Sequence, residues 1–361
     1  MKIPLVVLAI VVLAILAIFG FGYLKKGKII NLPKTPIDQK EKPLEKYTYD
    51  VLSKTKFAAS KIELGEVLKD EADFTSRIFY FWVDSPSTSS GQGKKVSGLV
   101  NIPKAAGTYP VVVMFRGYVD KEIYTTGTGT QHTGEIFARP PATEAAGNVG
   151  QAQNGFITLA PDFLGYGQSE NPSVSPIEER FQTYTTALTL LESIDNLNQA
   201  LGSNSDVRAD QQKIGIWGHS NGGQIALSVL EISGKEYPTV LWAPVSKPFP
   251  YSILYYTDEY NDHGKMLRRV VSDFEKDYDV EDYSPTNFFD RINAPIQLHQ
   301  GTADESVPQK WSDQLAKQLK EKSKEVEYFT YPGADHNLAP DGWSQAVQRS
   351  VDFYHSKIAA D

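Results

Sequence analysis

The sequence of 361 residues contains no cysteine. Disulfides, thiolate metal sites and a cysteine nucleophile are therefore excluded, while the redox compartment stays open. No cluster rich in lysine and arginine occurs in the body of the chain, and the net charge is −8. Because nucleic acids bind to basic surfaces, we expect no nucleic-acid partner. No internal repeat is present, and we expect neither a cofactor nor a metal.

Charged residues are also absent from residues 3–24, which are mainly valine, leucine, isoleucine and alanine. As a helix this run would reach about 33 Å, enough to cross a hydrocarbon core of about 30 Å. A cleavable signal peptide is the alternative interpretation. Its apolar region is usually about 7–15 residues long and is followed by small residues at the cleavage site. The sequence therefore favours a transmembrane anchor over residues 1–24.

The orientation of this anchor depends on two opposing tendencies. Lys25, Lys26 and Lys28 follow the apolar run and, by the positive-inside rule, would keep the rest of the chain in the cytoplasm. Long domains, however, are translocated largely regardless of flanking charge. We expect a single-pass protein whose main domain is extracytoplasmic.

The remaining chain divides into a linker and one large domain. Residues 25–55 combine prolines with charged residues and have little apolar periodicity, which predicts a linker. In residues 56–361, short apolar runs alternate with helical patterns. The predicted strands are residues 77–83, 96–102, 109–115, 155–160, 213–217, 238–242, 295–299 and 326–331. The predicted helices are residues 176–201, 221–232, 311–323 and 343–357. This alternation predicts an α/β fold with a mostly parallel sheet and helices on both faces.

Two long segments interrupt the alternation. Residues 119–153 are rich in glycine, threonine and alanine, and residues 247–290 contain many aromatic side chains. The second segment predicts a small insertion after the sixth strand. Long segments at the carboxyl ends of strands often shape a substrate pocket, although these aromatics could equally pack within the insertion itself.

Residues 218–222 read Gly-His-Ser-Asn-Gly and lie between a predicted strand and a predicted helix. The pattern Gly-x-Ser-x-Gly is common by chance, but this context is the one that a nucleophilic serine requires. The strand delivers Ser220 to a tight turn where its hydroxyl is exposed, and the glycines leave room for the adjoining strand and helix. Ser220 is therefore the candidate nucleophile.

A serine hydroxyl needs a base to remove its proton, and the chain contains six histidines. His336 follows the strand predicted at residues 326–331, so its loop can return over the sheet to Ser220. His219 is adjacent to the serine and is interpreted as structural. His299 ends a strand. We expect His336 to be the base.

The orienting acid should lie between the serine and the histidine in the chain. Asp304 follows the strand predicted at residues 295–299 and could accept the second ring proton of His336. Glu305 is its neighbouring competitor. Asp335 is the second choice, because side chains adjacent in sequence seldom face each other.

An oxyanion hole requires two hydrogen-bond donors near the nucleophile. One is expected to be the amide of Asn221, the residue after the serine. The other is expected from the turn after the strand at residues 109–115, where the amide of Tyr118 would donate and Gly117 would allow close approach.

Residues from about 95 to 354 resemble the catalytic domain of prolyl oligopeptidase-like hydrolases in the α/β-hydrolase superfamily. Four segments carry the likeness, and they are more specific together than the serine motif alone. These segments are residues 160–169, 218–223, 284–308 and 331–336. The resemblance implies an α/β-hydrolase fold with Ser220, Asp304 and His336 as catalytic triad, in agreement with the positions of these residues.

Two departures from that family bear on the substrate. Phe115 stands where many of its peptidases place a tyrosine that completes the oxyanion hole. The chain also has too few preceding residues for the β-propeller of the large members. Both points favour a carboxylesterase, and a prolyl oligopeptidase-like peptidase is the alternative. An acyltransferase and a non-catalytic binding protein of the same fold are further alternatives, although a non-catalytic member normally lacks part of the triad.

Overall fold

A computed structural model describes residues 41–83, 93–139 and 155–358. These residues form one nine-stranded sheet with the order β1-β2-β3-β5-β4-β6-β7-β8-β9. The strands are β1 (Glu63–Asp70), β2 (Phe74–Val83), β3 (Lys94–Pro103), β4 (Gly107–Phe115), β5 (Ile157–Pro161), β6 (Val207–His219), β7 (Thr239–Trp242), β8 (Ile296–Gly301) and β9 (Val326–Tyr331). The α-helices are α1 (Tyr49–Leu52), α2 (Gln131–Ala138), α3 (Pro176–Ser193), α4 (Leu197–Leu201), α5 (Asn221–Ser233), α6 (Tyr251–Leu254), α7 (Lys265–Glu275), α8 (Gln309–Glu321) and α9 (Trp343–Ile358).

The sheet is antiparallel at one side and parallel over the rest. β1, β2 and β3 pair antiparallel, and β3 is also antiparallel to β5. From β5 through β4, β6, β7 and β8 to β9, every pairing is parallel. The carboxyl ends of these parallel strands therefore share one edge, where loops after several strands can meet.

Helices cover both faces of the parallel region. All residues of β5, β7 and β8 are buried, as expected for strands packed on two sides. Neighbouring residues of β6 enter different cores, because successive side chains of a strand point to opposite faces. Ile216 packs in the core that contains Phe181 of α3 and Leu227 of α5, whereas Trp217 packs with Tyr354 of α9.

The sheet contains one strand more than the sequence predicted. β1 carries charged and largely exposed residues, so it has no apolar alternation to reveal it. The insertion predicted after the sixth strand therefore follows β7, the seventh. It consists of α6, α7 and short 3-10 turns.

The helix predicted at residues 176–201 is divided in two. α3 begins at Pro176, where Ser175 Oγ accepts a hydrogen bond from the Glu178 amide. It ends at Ser193, whose hydroxyl donates to the carbonyl of Thr189 at 2.6 Å. Bonds of this type compete with the helical backbone pattern. A 3-10 turn then leads into α4.

The linker predicted at residues 25–55 is too long at its carboxyl end. Tyr49 in α1 is fully buried, stacks on Phe288 with ring centroids 4.7 Å apart and donates to Ser228 Oγ at 2.6 Å. The compact unit that contains the sheet begins at Pro43. Residues from about 43 onward therefore belong to the domain.

The predicted transmembrane anchor, residues 1–24, lies outside the described residues. Within the ranges that the structure describes, no helix has the length and apolar character needed to span a membrane. The anchor stays a prediction from the sequence.

Candidate active site

Ser220 lies in the sharp turn between β6 and α5. Its backbone angles are φ 56° and ψ −120°, in a region that non-glycine residues rarely adopt, at a cost of about 1–3 kcal/mol. Hydrogen bonds hold the turn on both sides. The Ser220 amide donates to the Trp242 carbonyl at 2.9 Å, and the Ser220 carbonyl accepts from Val245 at 2.9 Å. Neighbouring β7 and its loop thereby maintain a strained conformation.

The turn depends on close approach by its second glycine. A Cβ atom on Gly222 would lie 1.9 Å from the carbonyl oxygen of Phe115, the last residue of β4. Any side chain would force β4 and α5 apart. The sequence interpretation of this glycine as a space requirement agrees with the contact.

Asp304 and His336 are brought together by the loops after β8 and β9. His336 Nδ1 lies 2.9 Å from Asp304 Oδ2. The other carboxylate oxygen accepts hydrogen bonds from the amides of Ser306 and Val307, at 2.9 and 2.8 Å. Gln300 Nε2 also donates to Oδ2 at 2.9 Å. Burial opposes ionisation, but the pKa of Asp304 is nevertheless lowered, because His336 and these donors stabilise the carboxylate.

The two alternative acids differ from Asp304 in their surroundings. Asp335 Oδ1 accepts from the amides of Asn337 and Ala339, at 2.8 and 2.9 Å, and so closes its own loop. Glu305 is exposed. In the described part of the chain, the carboxylate paired with His336 is that of Asp304.

His219 supports the loop that carries His336. Its Nε2 lies 2.9 Å from the His336 carbonyl oxygen, and the two imidazole rings are 4.6 Å apart. Burial, followed by the charge of His336, lowers the pKa of His219 to about 4. His219 is therefore neutral near pH 7 and donates its Nε2 proton to that carbonyl. The sequence indicated a structural role but not this contact.

Ser220 Oγ makes no hydrogen bond to His336 or to any other residue in the ranges described. His219 links the two residues indirectly. It precedes Ser220 in the chain, and its side chain is hydrogen-bonded to the His336 carbonyl. In enzymes without substrate, the bond between nucleophile and base is often long and shortens on binding.

The turn after β4 lies directly against the nucleophile. A Cβ atom on Gly117 would lie 3.0 Å from Ser220 Cβ, so the Gly117 backbone borders the serine. Tyr118 follows, but its side chain is 71% exposed and its hydroxyl donates to Asp120 Oδ1 at 2.8 Å. The hydroxyl is thus engaged elsewhere, and the backbone amide is what Tyr118 can offer to the site.

Arg116 is buried beside this turn and binds its backbone. Arg116 Nη1 donates to the Gly117 carbonyl at 2.9 Å, and Nη2 donates to the Asp162 carbonyl at 3.1 Å. The guanidinium carbon lies 4.5 and 4.0 Å from the ring centroids of Tyr124 and Tyr166. Cation–π contacts with these two rings, which also pack edge to face on each other, hold it in place. No motif in the sequence predicts these contacts of Arg116, because they form only in the folded chain.

Asp162 stabilises the surroundings of Arg116 through a network of hydrogen bonds. Its fully buried carboxylate accepts hydrogen bonds from the hydroxyls of Ser97, Tyr124 and Thr126, at 2.5, 2.6 and 2.8 Å. Since Tyr124 also packs on Arg116, this network holds in place one of the two rings that contact the guanidinium.

A cavity of about 320 Å³ adjoins the turn and the nucleophile helix. Its walls include Arg116, Tyr118, Asn221, Arg180 and Tyr260. Among the described residues of the aromatic insertion, Tyr260 lines this cavity. A second cavity, of about 400 Å³, is lined by Trp217 and His219. Ser220 lines neither cavity, but Asn221 and Tyr118, the expected oxyanion donors, line the first and not the second. The first cavity is therefore the better candidate for substrate.

Most aromatics of the insertion pack instead of lining a pocket. Phe249 and Tyr283 are buried against Phe181 of α3, with ring centroids 5.6 and 4.9 Å away. Of the other long segment, residues 140–153 lie outside the described ranges. Among described residues, no group of histidines and acidic side chains could hold a metal ion.

The fold and the site together define a serine hydrolase of the α/β-hydrolase superfamily. Residues 195–360 match the prolyl oligopeptidase family. A Bacillus subtilis (strain 168) protein named uncharacterized peptidase YtmA is 28% identical over 270 residues, which cover 73% of this chain and 90% of the relative. The predictions of superfamily and of serine hydrolase, whether esterase or peptidase, are thereby confirmed.

Two solved structures share the fold at low sequence identity. An acetyl xylan esterase from Paenibacillus sp. R4 has a TM-score of 0.56 at 16% identity, covering 86% of this chain and 92% of that one. An acylaminoacyl peptidase from Pyrococcus horikoshii has a TM-score of 0.51 at 17% identity, covering 81% and 43%. The predicted α/β-hydrolase fold is confirmed by these likenesses.

Proposed function

We propose that Ser220, His336 and Asp304 form a catalytic triad that cleaves a carboxylic ester or a short peptide bond through an acyl-enzyme. The observation that carries this proposal is the strained Ser220 turn, which lies beside His336, together with the pairing of His336 and Asp304 at 2.9 Å. Strain of this kind persists where the surroundings enforce it, often at functional sites.

The roles of the triad follow from its hydrogen bonds. His336 Nδ1 is engaged by Asp304, so Nε2 is the nitrogen available to take the Ser220 proton. Oγ then attacks the acyl carbon, and the imidazolium returns the proton to the leaving group. Asp304 keeps its negative charge and stabilises the imidazolium. Water repeats the sequence to release the acid.

The oxyanion hole in this proposal consists of the amides of Asn221 and Tyr118. Each donor of this kind contributes about 2.7–4 kcal/mol to the transition state. In a trans peptide, the C=O and N–H groups point in opposite directions. By binding the Gly117 carbonyl, Arg116 therefore fixes the direction of the Tyr118 N–H. Gly117 allows the approach to Ser220.

A prolyl oligopeptidase-like peptidase is the second candidate, favoured by the family match over residues 195–360. Short-chain 4-nitrophenyl esters, tested beside aminoacyl and prolyl 4-nitroanilides on the full chain, separate the two. Hydrolysis of esters alone supports an esterase, and cleavage of the anilides supports a peptidase. Activity that survives Ser220→Ala undiminished would overturn the proposal.

We also propose that residues 1–24 attach the enzyme to a membrane, with the catalytic domain on the extracytoplasmic side. The support is the uncharged run at residues 3–24. The full chain should sediment with membranes, and protease added to intact cells should reach the domain. Recovery of both the full chain and a chain lacking residues 1–24 in the soluble fraction would contradict the anchor.

A further inference from the structure

Arg180 lies in the wall of the substrate cavity and has no acidic partner among the described residues. It lies in the second turn of α3 and lines the same cavity as Asn221 and Ile225 of α5. In the ranges described, no carboxylate lies within ion-pairing distance of its guanidinium. A partly buried cation without a counter-ion is unusual, because transfer of charge out of water is costly unless it is compensated.

The hydrogen-bonding capacity of Arg180 is mostly unused. A guanidinium has five N–H donors. One donates from Nη2 to Gln224 Oε1 at 2.5 Å, and Nε is buried with no partner. Within the described residues, the other four N–H groups have no acceptor. Gln224 is itself buried in α5, one turn after the nucleophile, so it holds the guanidinium close to the reacting end of the cavity.

The surrounding charges do not cancel that of Arg180. Arg116 is a second cation in the cavity wall, but the buried carboxylate of Asp162 interacts with it and opposes its charge. Glu179 also lines the cavity, but its carboxylate pairs with Lys121 Nζ at 2.8 Å. The amino end of α5, a helix of 13 residues, adds a positive dipole beside Ser220. The cavity is therefore electropositive and contains a planar donor suited to a carboxylate.

We propose that Arg180 binds a carboxylate on the acyl part of the substrate, and that the enzyme selects short acyl groups ending in that charge. This inference rests on the proposed function, since the acyl group is the one transferred to Ser220. A cavity of about 320 Å³ is at the small end for ligand sites, which suits a short dicarboxylic half-ester.

The test compares 4-nitrophenyl valerate with the 4-nitrophenyl monoester of glutaric acid, which carries a carboxylate in place of the terminal methyl group. The full chain should give the larger kcat/KM with the glutarate ester. Arg180→Met should lower the ratio of the two kcat/KM values about 10- to 100-fold, as expected for a hydrogen bond to a charged group. Arg180→Lys should retain part of the preference.

Three controls separate an effect of Arg180 from other causes. The glutarate ester also decomposes through its own carboxylate, so the Ser220→Ala enzyme supplies the blank. Arg208→Met removes an equal charge outside the cavity, where Arg208 binds the carbonyls of Gly202 and Ser203, and should leave the ratio unchanged. Free glutarate should inhibit the unmodified enzyme more strongly than valerate, which needs no variant.

Two results would overturn the inference. One is a preference of the unmodified enzyme for the valerate ester. The other is an equal ratio of kcat/KM values in the unmodified and Arg180→Met enzymes. Undiminished ester hydrolysis by Ser220→Ala would instead contradict the triad, so the two proposals fail in distinguishable ways.

Discussion

At the scale of single residues, Asp304 and Asp335 compete for the same role but have different partners. Asp304 contacts His336, whereas Asp335 holds amides of its own loop. Asp304→Asn should lower kcat about 10³- to 10⁴-fold, because the imidazolium loses its counter-charge and the ring its tautomer. Asp335→Asn keeps one oxygen acceptor and should stay within about threefold of normal. Ester hydrolysis measures both, and equal losses would move the acid assignment to Asp335.

A buried histidine gives the fold a measurable pH dependence. Burial, and then the charge of Arg349, lowers the pKa of His299 to about 3, while its value in the unfolded chain is about 6.5. Below pH 6.5 only the unfolded state binds this proton, so His299 costs about 1.4 kcal/mol of stability per pH unit down to about pH 3. Above pH 6.5 His299 is neutral in both states, so it no longer lowers the free energy of unfolding.

His299→Gln should remove that dependence. Between pH 6.5 and 5, the variant should lose about 2 kcal/mol less unfolding free energy than the normal chain. Urea unfolding at the two pH values measures the difference. Buried Glu231, whose pKa is raised by burial, acts in the opposite direction but is present in both chains and cancels. Parallel pH profiles would contradict a neutral buried His299.

The sequence identifies candidate reacting residues because chain order and local motif constrain them. Ser220 has its elbow pattern, and Asp304 and His336 each follow a strand. Contacts made across the fold have no such signal. The bond from Arg116 to the Gly117 carbonyl and the unused donors of Arg180 depend on tertiary packing, which a single sequence does not display.

At the scale of elements, the junction of β4, β6 and α5 depends on Gly222. Gly222→Ala would place a methyl group against the Phe115 carbonyl and should destabilise the fold by at least about 3 kcal/mol, with loss of activity. Gly107→Ala is the matched control, because the nearest atoms to its Cβ are 3.4 Å away. Thermal unfolding distinguishes them, and similar melting temperatures would show that the junction tolerates a side chain.

Elements with strong apolar periodicity are predictable from the sequence, and edge elements are not. The buried strands β7 and β8 are recognisable in the sequence as short apolar runs between turn residues. β1 is an exposed edge strand with charged side chains, paired to β2 by backbone hydrogen bonds that any sequence can make. The apolar face of residues 176–201 continues across the 3-10 turn, so periodicity alone does not reveal the break between α3 and α4.

At the scale of the whole molecule, the amino-terminal boundary of the domain can be tested by truncation. A chain beginning at residue 43 keeps Tyr49 on Phe288 and Ser228, and also the ion pair between Asp50 and Arg291. A chain beginning at residue 56 loses these contacts and should be less stable by about 3–5 kcal/mol, as for removal of a buried aromatic side chain. Urea unfolding of both chains measures this difference. Equal stability would show that the linker extends to residue 55, as the sequence predicted.

The central claim is that Ser220 is the nucleophile activated by His336. The most direct measurement is reaction of the full chain with a fluorophosphonate, followed by mass spectrometry of the digested protein. We predict one phosphonyl group per chain, located on Ser220, with no labelling of a folded Ser220→Ala variant and slow labelling of His336→Ala. A label on another residue, or undiminished labelling of Ser220→Ala, would contradict the claim.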